Sequence, residues 1–274
     1  MELLYTNDLK RHYPKRVICL TEESVEIMYA LGLEERIIGV SSFIERPEIA
    51  KKKPRVSGFT NANIKKIVKM KPDLVLGYSD IQKDIAKELI GHGLNVYIAN
   101  HRSIFETLQF TLWLSSFLGV AEEGSKLVGD YQKILKRLHE KGKLLKNRPK
   151  VYFEEWNDPM ISSIQWVSEL IEICGGINIF SSQANETLAK NRIVESQKVV
   201  SLNPDIIFGC WCGKKVEIDD FGNRENWNAI KAVKNKDIYE LDPSIFLQPG
   251  PAPIINGGDI LLDYFHSWEK RQNR

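Results

Sequence analysis

Short apolar runs alternate along most of the chain with longer segments whose apolar residues recur every three or four positions. The runs at 16–20, 36–40, 74–77 and 96–98 predict strands, and the segments at 25–31, 64–70, 82–90 and 105–117 predict helices between them. Gly32 stands where a C′ glycine would end the first helix. Asn61-Ala62-Asn63 offers an N-cap for the second. After residue 149 the same grammar returns, with strands at 150–153 and 238–241 and helices at 166–174, 227–233 and 259–268. Apolar strands alternating with helices argue for a mostly parallel sheet covered on both faces.

The polar segment 122–146 differs from its neighbours. Val120, Leu127, Val128, Tyr131, Ile134, Leu135, Leu138 and Leu144 keep a helical period, with charged residues between them. A helix of this length runs about 35 Å. On either side of it lies a weak repeat: 67–76 and 199–208 both read as a helix end, then Pro-Asp, then an apolar strand. The expected fold is therefore α/β, with two similar lobes whose mostly parallel central sheets are joined by one long helix. The lobes are placed at 1–121 and 147–274, with 122–146 as the link. A continuous helix resists wide hinge motion, because bending it breaks backbone hydrogen bonds.

Composition narrows the function classes. The 274 residues carry 38 Lys+Arg against 36 Asp+Glu, a net charge of +2 that gives no basic field for nucleic acid. The N-terminus, MELLYTNDLKRHYPKR, shows no apolar leader core, so the expectation is a cytoplasmic protein or a sequence trimmed of its leader. Of four cysteines, only Cys210 and Cys212 are close, and C-x-C is not the usual zinc or redox spacing. No nucleophile elbow, P-loop or dinucleotide fingerprint is present, and no catalytic residue or metal site is assigned. Two acid groups stand just past predicted strands: Glu22 with Glu23, and Glu154 with Glu155 and Asp158. Ligands of open α/β sheets bind beyond the C-terminal strand ends, where such acids can hold a cation or the amides of a ligand. Tyr78, Trp156, Trp166, Trp211 and Phe246 fall in or near the same kind of loop and suit a large, partly apolar ligand.

The order of several soft motifs then becomes informative. These are Arg16-Val17-Ile18 with Ala30-Leu31-Gly32, the loop Pro54-Arg55-Val56-Ser57-Gly58, and Asn61-Ala62-Asn63-Ile64 before Lys71-Pro72-Asp73. In the second half they are Trp156-Asn157-Asp158-Pro159, Gly175-Gly176-Ile177-Asn178, Asn203-Pro204-Asp205 and Pro249-Gly250-Pro251. In this arrangement the chain resembles the periplasmic-type substrate-binding proteins of ABC importers, in their cobalamin and ferric-siderophore class with a helical backbone between lobes. The resemblance implies a receptor, not an enzyme. It would hold cobalamin, a related corrinoid or haem-like compound, or a metal chelate in a cleft between lobes, as a non-covalent ligand. It implies a monomer, in the periplasm or at the cell surface, delivering to ABC permease subunits. Family members usually dock through a Glu on each lobe, eight residues before the Asp of Pro-Asp. Lys65 and Gln197 stand at those positions here, one of them charge-reversed. The alternatives are a cytoplasmic sensor or carrier of the same fold and, third, a hydrolase using the strand-end carboxylates.

Overall fold

A computed structural model describes residues 12–272 of the chain; the N-terminal stretch read above for a leader lies partly outside them, up to residue 11. The strands are β1 (Val17–Cys19), β2 (Ile37–Ser41), β3 (Arg55–Ser57), β4 (Leu74–Tyr78), β5 (Val96–Ala99), β6 (Lys150–Asn157), β7 (Met160–Ser162), β8 (Ile177–Asn178), β9 (Ile206–Gly209) and β10 (Ile238–Glu240). The helices are α1 (Glu22–Ala30), α2 (Ile64–Lys69), α3 (Lys83–Gly91), α4 (Ile104–Phe117), α5 (Ala121–Gly142), α6 (Gln165–Ile173), α7 (Ser181–Ala184), α8 (Ser196–Leu202), α9 (Ile218–Asn223), α10 (Lys231–Lys234), α11 (Pro243–Phe246) and α12 (Gly258–Gln272). They form two compact units, Met1–Asn100 with Phe110–Leu127, and His101–Gln109 with Val128–Arg274.

In the first unit the strand order is β3-β2-β1-β4-β5, and every neighbouring pair is parallel. Side chains alternate across a strand, so each strand feeds two cores. Val17, Cys19, Leu74 and Leu76 pack on one face with Val25, Met28, Phe110 and Leu114 of α1 and α4. Ile18, Leu20 and Val75 pack on the other with Ile64, Ile67, Ile85 and Leu89 of α2 and α3. Burial on both faces explains why these strands read as continuous apolar runs. Helix α2 starts where expected, with the Asn63 side chain accepting from the Lys66 N–H at 2.9 Å.

The second unit reuses the plan. Its sheet runs β10-β9-β6, with β8 parallel and β7 antiparallel on the far side of β6. Thus β10-β9-β6-β8 matches β5-β4-β1-β2. The Pro-Asp repeat does one job in both units. The Asp73 carboxylate accepts the Lys15 and Arg16 N–H groups at 2.8 and 2.9 Å, capping β1, and the Asp205 carboxylate accepts the Lys150 N–H at 2.9 Å, capping β6. The residue before each Pro, Lys71 or Asn203, has positive φ (46° and 49°), which turns the chain from helix into strand.

Three expectations change. The second lobe's first strand does not stop at 153 but continues to Asn157 and folds back as β7, so Glu154, Glu155 and Trp156 lie within a hairpin and not past a strand. The long helix ends at Gly142 rather than near 146. Its last turn packs on the Cys174-Gly175 turn so closely that a Cβ at Gly142 would lie 2.6 Å from the Cys174 carbonyl carbon. The unit boundary falls inside α5, and residues 101–109 belong to the second unit. There the Trp166 N–H donates to the Arg102 carbonyl at 3.0 Å, Glu169 accepts the Ile104 N–H at 2.7 Å, and His101 Nε2 bonds the Pro249 carbonyl.

Candidate functional site

The C-terminal ends of the parallel strands are where this kind of sheet binds ligands. In the first unit, α1 begins directly after β1, and its first turn buries Glu22 and Glu23. Glu22 Oε1 accepts the Glu45 N–H at 3.1 Å, and Glu23 Oε1 accepts the Thr21 hydroxyl at 2.6 Å. The second oxygen of each has no partner among the described residues. Burial, and next the charge of Glu26, pushes the Glu22 carboxyl up to about 8. Burial pushes Glu23 up to about 7. Tyr78, the last residue of β4, is buried. The exposed groups at this edge are others: Phe43 after β2 (60% exposed), Phe59 after β3 (44%) and Ile81 after β4 (45%). The rings of Phe43 and Phe59 meet edge to face, with centroids 6.4 Å apart.

In the second unit Glu154 and Glu155 are engaged by other side chains, while Asp158 is exposed at the turn of the hairpin. Glu154 is buried and accepts the Tyr152 hydroxyl at 3.0 Å, Trp211 Nε1 at 3.2 Å, and Arg224 Nη1 and Nη2 at 2.6 and 2.8 Å. The Arg224 guanidinium lies 4.5 Å from the ring centroids of both Phe221 and Trp227. Burial, and then the Glu154 charge, raises the Tyr152 hydroxyl well above its usual range, so it remains a donor. Glu155 takes a two-pronged bond from the buried Arg192, at 2.5 and 3.2 Å, while Arg192 Nη1 also donates to the Ser162 carbonyl of β7 at 2.6 Å. That pair staples the β6–β7 hairpin.

The aromatic candidates of the second unit are mostly core residues. Trp166 and Phe246 are buried together, Trp166 Nε1 donating to the Phe246 carbonyl at 2.8 Å. Trp211 is buried beside Glu154, with Lys214 Nζ 5.0 Å from its ring centroid. Trp156 is half-buried and donates to the Asp158 carbonyl at 2.9 Å. The exposed groups after β9 are Cys212, Lys214 and Lys215. Cys19, Cys174 and Cys210 are free and buried, and burial raises the Cys19 and Cys174 thiols to about 12. Among the described residues no three His, Cys, Asp or Glu side chains are grouped to hold a metal ion.

Comparison with known proteins places this geometry. The family model described as periplasmic binding protein matches residues 17–245. The chain belongs to the periplasmic binding protein family. It is 30% identical to an uncharacterized ABC transporter substrate-binding lipoprotein of Bacillus subtilis, over 91% of this chain and 79% of that one. It is 28% identical to a vitamin B12-binding protein of Vibrio vulnificus, over 98% and 97%. Its fold superimposes on the crystal structure of the periplasmic vitamin B12 binding protein of Vibrio cholerae with a TM-score of 0.72 and 26% identity, covering 94% of this chain and 98% of that one. Relatives in the family are solute-binding proteins of ABC transporters, periplasmic or lipoprotein-anchored. No helix among the described residues of this binding protein is long and apolar enough to cross a membrane.

Two features of the binding protein escaped the sequence reading or bear on docking. Phe43 and Phe59 interrupt loops beside Ser42 and Gly58, and Ile81 stands in a single helical turn beside Asp80, all three outside the strand and helix periods of the sequence. An apolar residue stranded in turn chemistry is the signal that would have found them. Lys65 lies exposed on α2 and Gln197 exposed on α8, while Glu195 is exposed at the N-cap of α8.

Proposed function

We propose that this chain is a non-enzymatic solute receptor for a bulky metal-centred ring ligand of the corrinoid type, with cobalamin as its reference member. Haem-like compounds and metal chelates of similar size belong to the same class. The observation that carries the reading is the exposed Phe43–Phe59 pair with Ile81 at the C-terminal edge of an all-parallel sheet. Flat rings held there offer an apolar face to a macrocycle at low entropy cost. The relatives named for vitamin B12 supply the ligand class. The carboxylates of Glu154 and Glu155 are taken up by guanidinium groups, which leaves neither as a ready acid for hydrolysis. Titrating the purified protein with cyanocobalamin, haemin and ferric chelates while following Trp fluorescence tests the reading. It expects saturable quenching by at least one of them, and fails if none quenches.

On this reading the ligand is handed to ABC permease subunits by a monomeric receptor outside the cytoplasmic membrane. A specific observation favours a second reading, a cytoplasmic carrier without a transporter: Lys65 places a positive charge where family members present an acid. Cell fractionation separates the two, since the carrier stays with the cytoplasm.

A further inference from the structure

One buried polar side chain of the first unit is tied to three strand ends at once. Gln82 closes the turn between β4 and α3, and its side chain is fully buried. Its Oε1 accepts the Tyr78 N–H at 3.0 Å, and its Nε2 donates to the Leu20 carbonyl at 3.3 Å and the Phe59 carbonyl at 3.2 Å. One acceptor and two donors on a neutral group is the inventory of a primary amide alone. The surroundings are built to admit it. A Cβ at Gly77 would sit 2.6 Å from Gln82 Oε1. Ser79 holds a positive φ of 59°, rare for a residue with a side chain, and its hydroxyl accepts the Ile81 N–H at 3.4 Å. Such backbone persists only where neighbours over-determine it.

Phe59 is the residue for which this matters. It stands at the tip of a tight loop closed by a bridge between Ser57 and Ala62 and by the Gly58 N–H to Asn61 carbonyl bond of 2.8 Å. Its ring is too exposed for packing alone to fix it. The carbonyl bond from Gln82 anchors the backbone that carries the ring. We propose that Gln82 is a positioning residue for ligand recognition, fixing Phe59 and with it the Phe43–Phe59 pair at the strand edge. The proposal rests on the ligand-binding reading above and adds the residue that pre-organises it.

The test uses Q82E, Q82M, F59A and Q82E/F59A in the full chain, with cyanocobalamin as the probe. An ionised carboxyl at position 82 keeps the acceptor but turns it on two carbonyls, whereas a protonated one regains a donor. Q82E therefore binds about tenfold more weakly than wild type at pH 8.5 and comes within about threefold at pH 5.5. In the F59A background the same change adds less than about twofold at either pH. A Q82E affinity that follows wild type at both pH values, or a tenfold loss that persists without Phe59, overturns the proposal. A second arm needs no ligand. Amide exchange over 57–63 is faster in Q82E than in wild type at pH 8.5, while 205–209 of the second unit is unchanged. If Q82E does not fold, Q82M shows the faster exchange at both pH values. Unchanged exchange in the loop overturns the proposal even if the protein binds no corrinoid, an outcome that would separately defeat the ligand reading.

Discussion

β1 and β6 hold the same place in their sheets. Each lies beside a Pro-Asp strand whose aspartate caps its first residues, with two glutamates just past β1 and two within the second half of β6. The acids are then treated in opposite ways. Glu154 and Glu155 face guanidinium groups that arrive from 70 and 37 residues further along the chain. Glu22 and Glu23 are buried with one oxygen each lacking a partner among the described residues, and Arg46, whose charge bears on Glu22, pairs its side chain with Glu26 at 2.7 Å. The difference teaches that the backbone frame is a local property, repeated wherever Pro-Asp recurs. The chemistry of the strand end depends on which distant side chain the rest of the unit delivers.

The comparison can be broken most sharply at Arg224. Arg224→Ala leaves Glu154 buried with only Tyr152 and Trp211 as donors. An uncompensated buried charge costs about 3–5 kcal/mol, and urea unfolding followed at pH 7 reads that loss in the second unit. An unchanged midpoint would contradict the role of Arg224 as the partner that holds Glu154 in the core. The shared caps come next. Asp73→Ala and Asp205→Ala each remove charge-assisted bonds worth about 1.5–3 kcal/mol. Lying in different units, the two losses add in the double variant to within about 0.5 kcal/mol. A large effect at one site and none at the other would show that the repeat is similar in form only.

The first unit's acids predict a pH dependence of stability. Glu22 has a folded value of about 8, above its ordinary 4.5, so between those values the folded state binds more protons than the unfolded state. The stability tied to its protonation is complete below about 4.5 and is lost as pH rises to about 8. Glu23 does the same up to about 7. Glu22→Gln keeps the shape without the charge, so its urea midpoint gains on wild type as pH goes from 5 to 9. A constant difference between the two proteins would refute the buried carboxyl with one oxygen unpartnered among the described residues. The smallest effect is at the exposed Lys65. Lys65→Glu shifts stability by less than about 0.5 kcal/mol, yet changes uptake in vesicles reconstituted with the cognate permease if α2 docks. Equal uptake would remove α2 from the docking surface.

Much of the frame was legible because it is local. The Pro-Asp repeat, the Asn63 cap and the apolar runs of β1, β4 and β9 sit in consecutive residues, and each did what its pattern implied. The β6–β7 hairpin was hidden because Glu154-Glu155-Trp156-Asn157 has neither β-branched residues nor alternation. Its staple, Arg192, lies far along the chain. The candidate site was less legible for the same reason. Trp166, Trp211 and Phe246 have the right residue type, but whether a ring is buried is decided by tertiary neighbours such as Glu154 and the Phe246 carbonyl. Phe43 and Phe59 carried little pattern at all, Phe59 being a lone apolar residue in a loop and Phe43 being followed by Ile44, which takes the buried place.

The ligand-facing role of that aromatic pair is the central claim, and one titration tests it directly. Cyanocobalamin is added to wild type and to the F43A/F59A double variant, with Trp fluorescence as readout and urea midpoints as a control for folding. The account predicts saturable quenching of wild type and an affinity at least about tenfold weaker in the folded double variant. Binding of equal affinity in both proteins would contradict it.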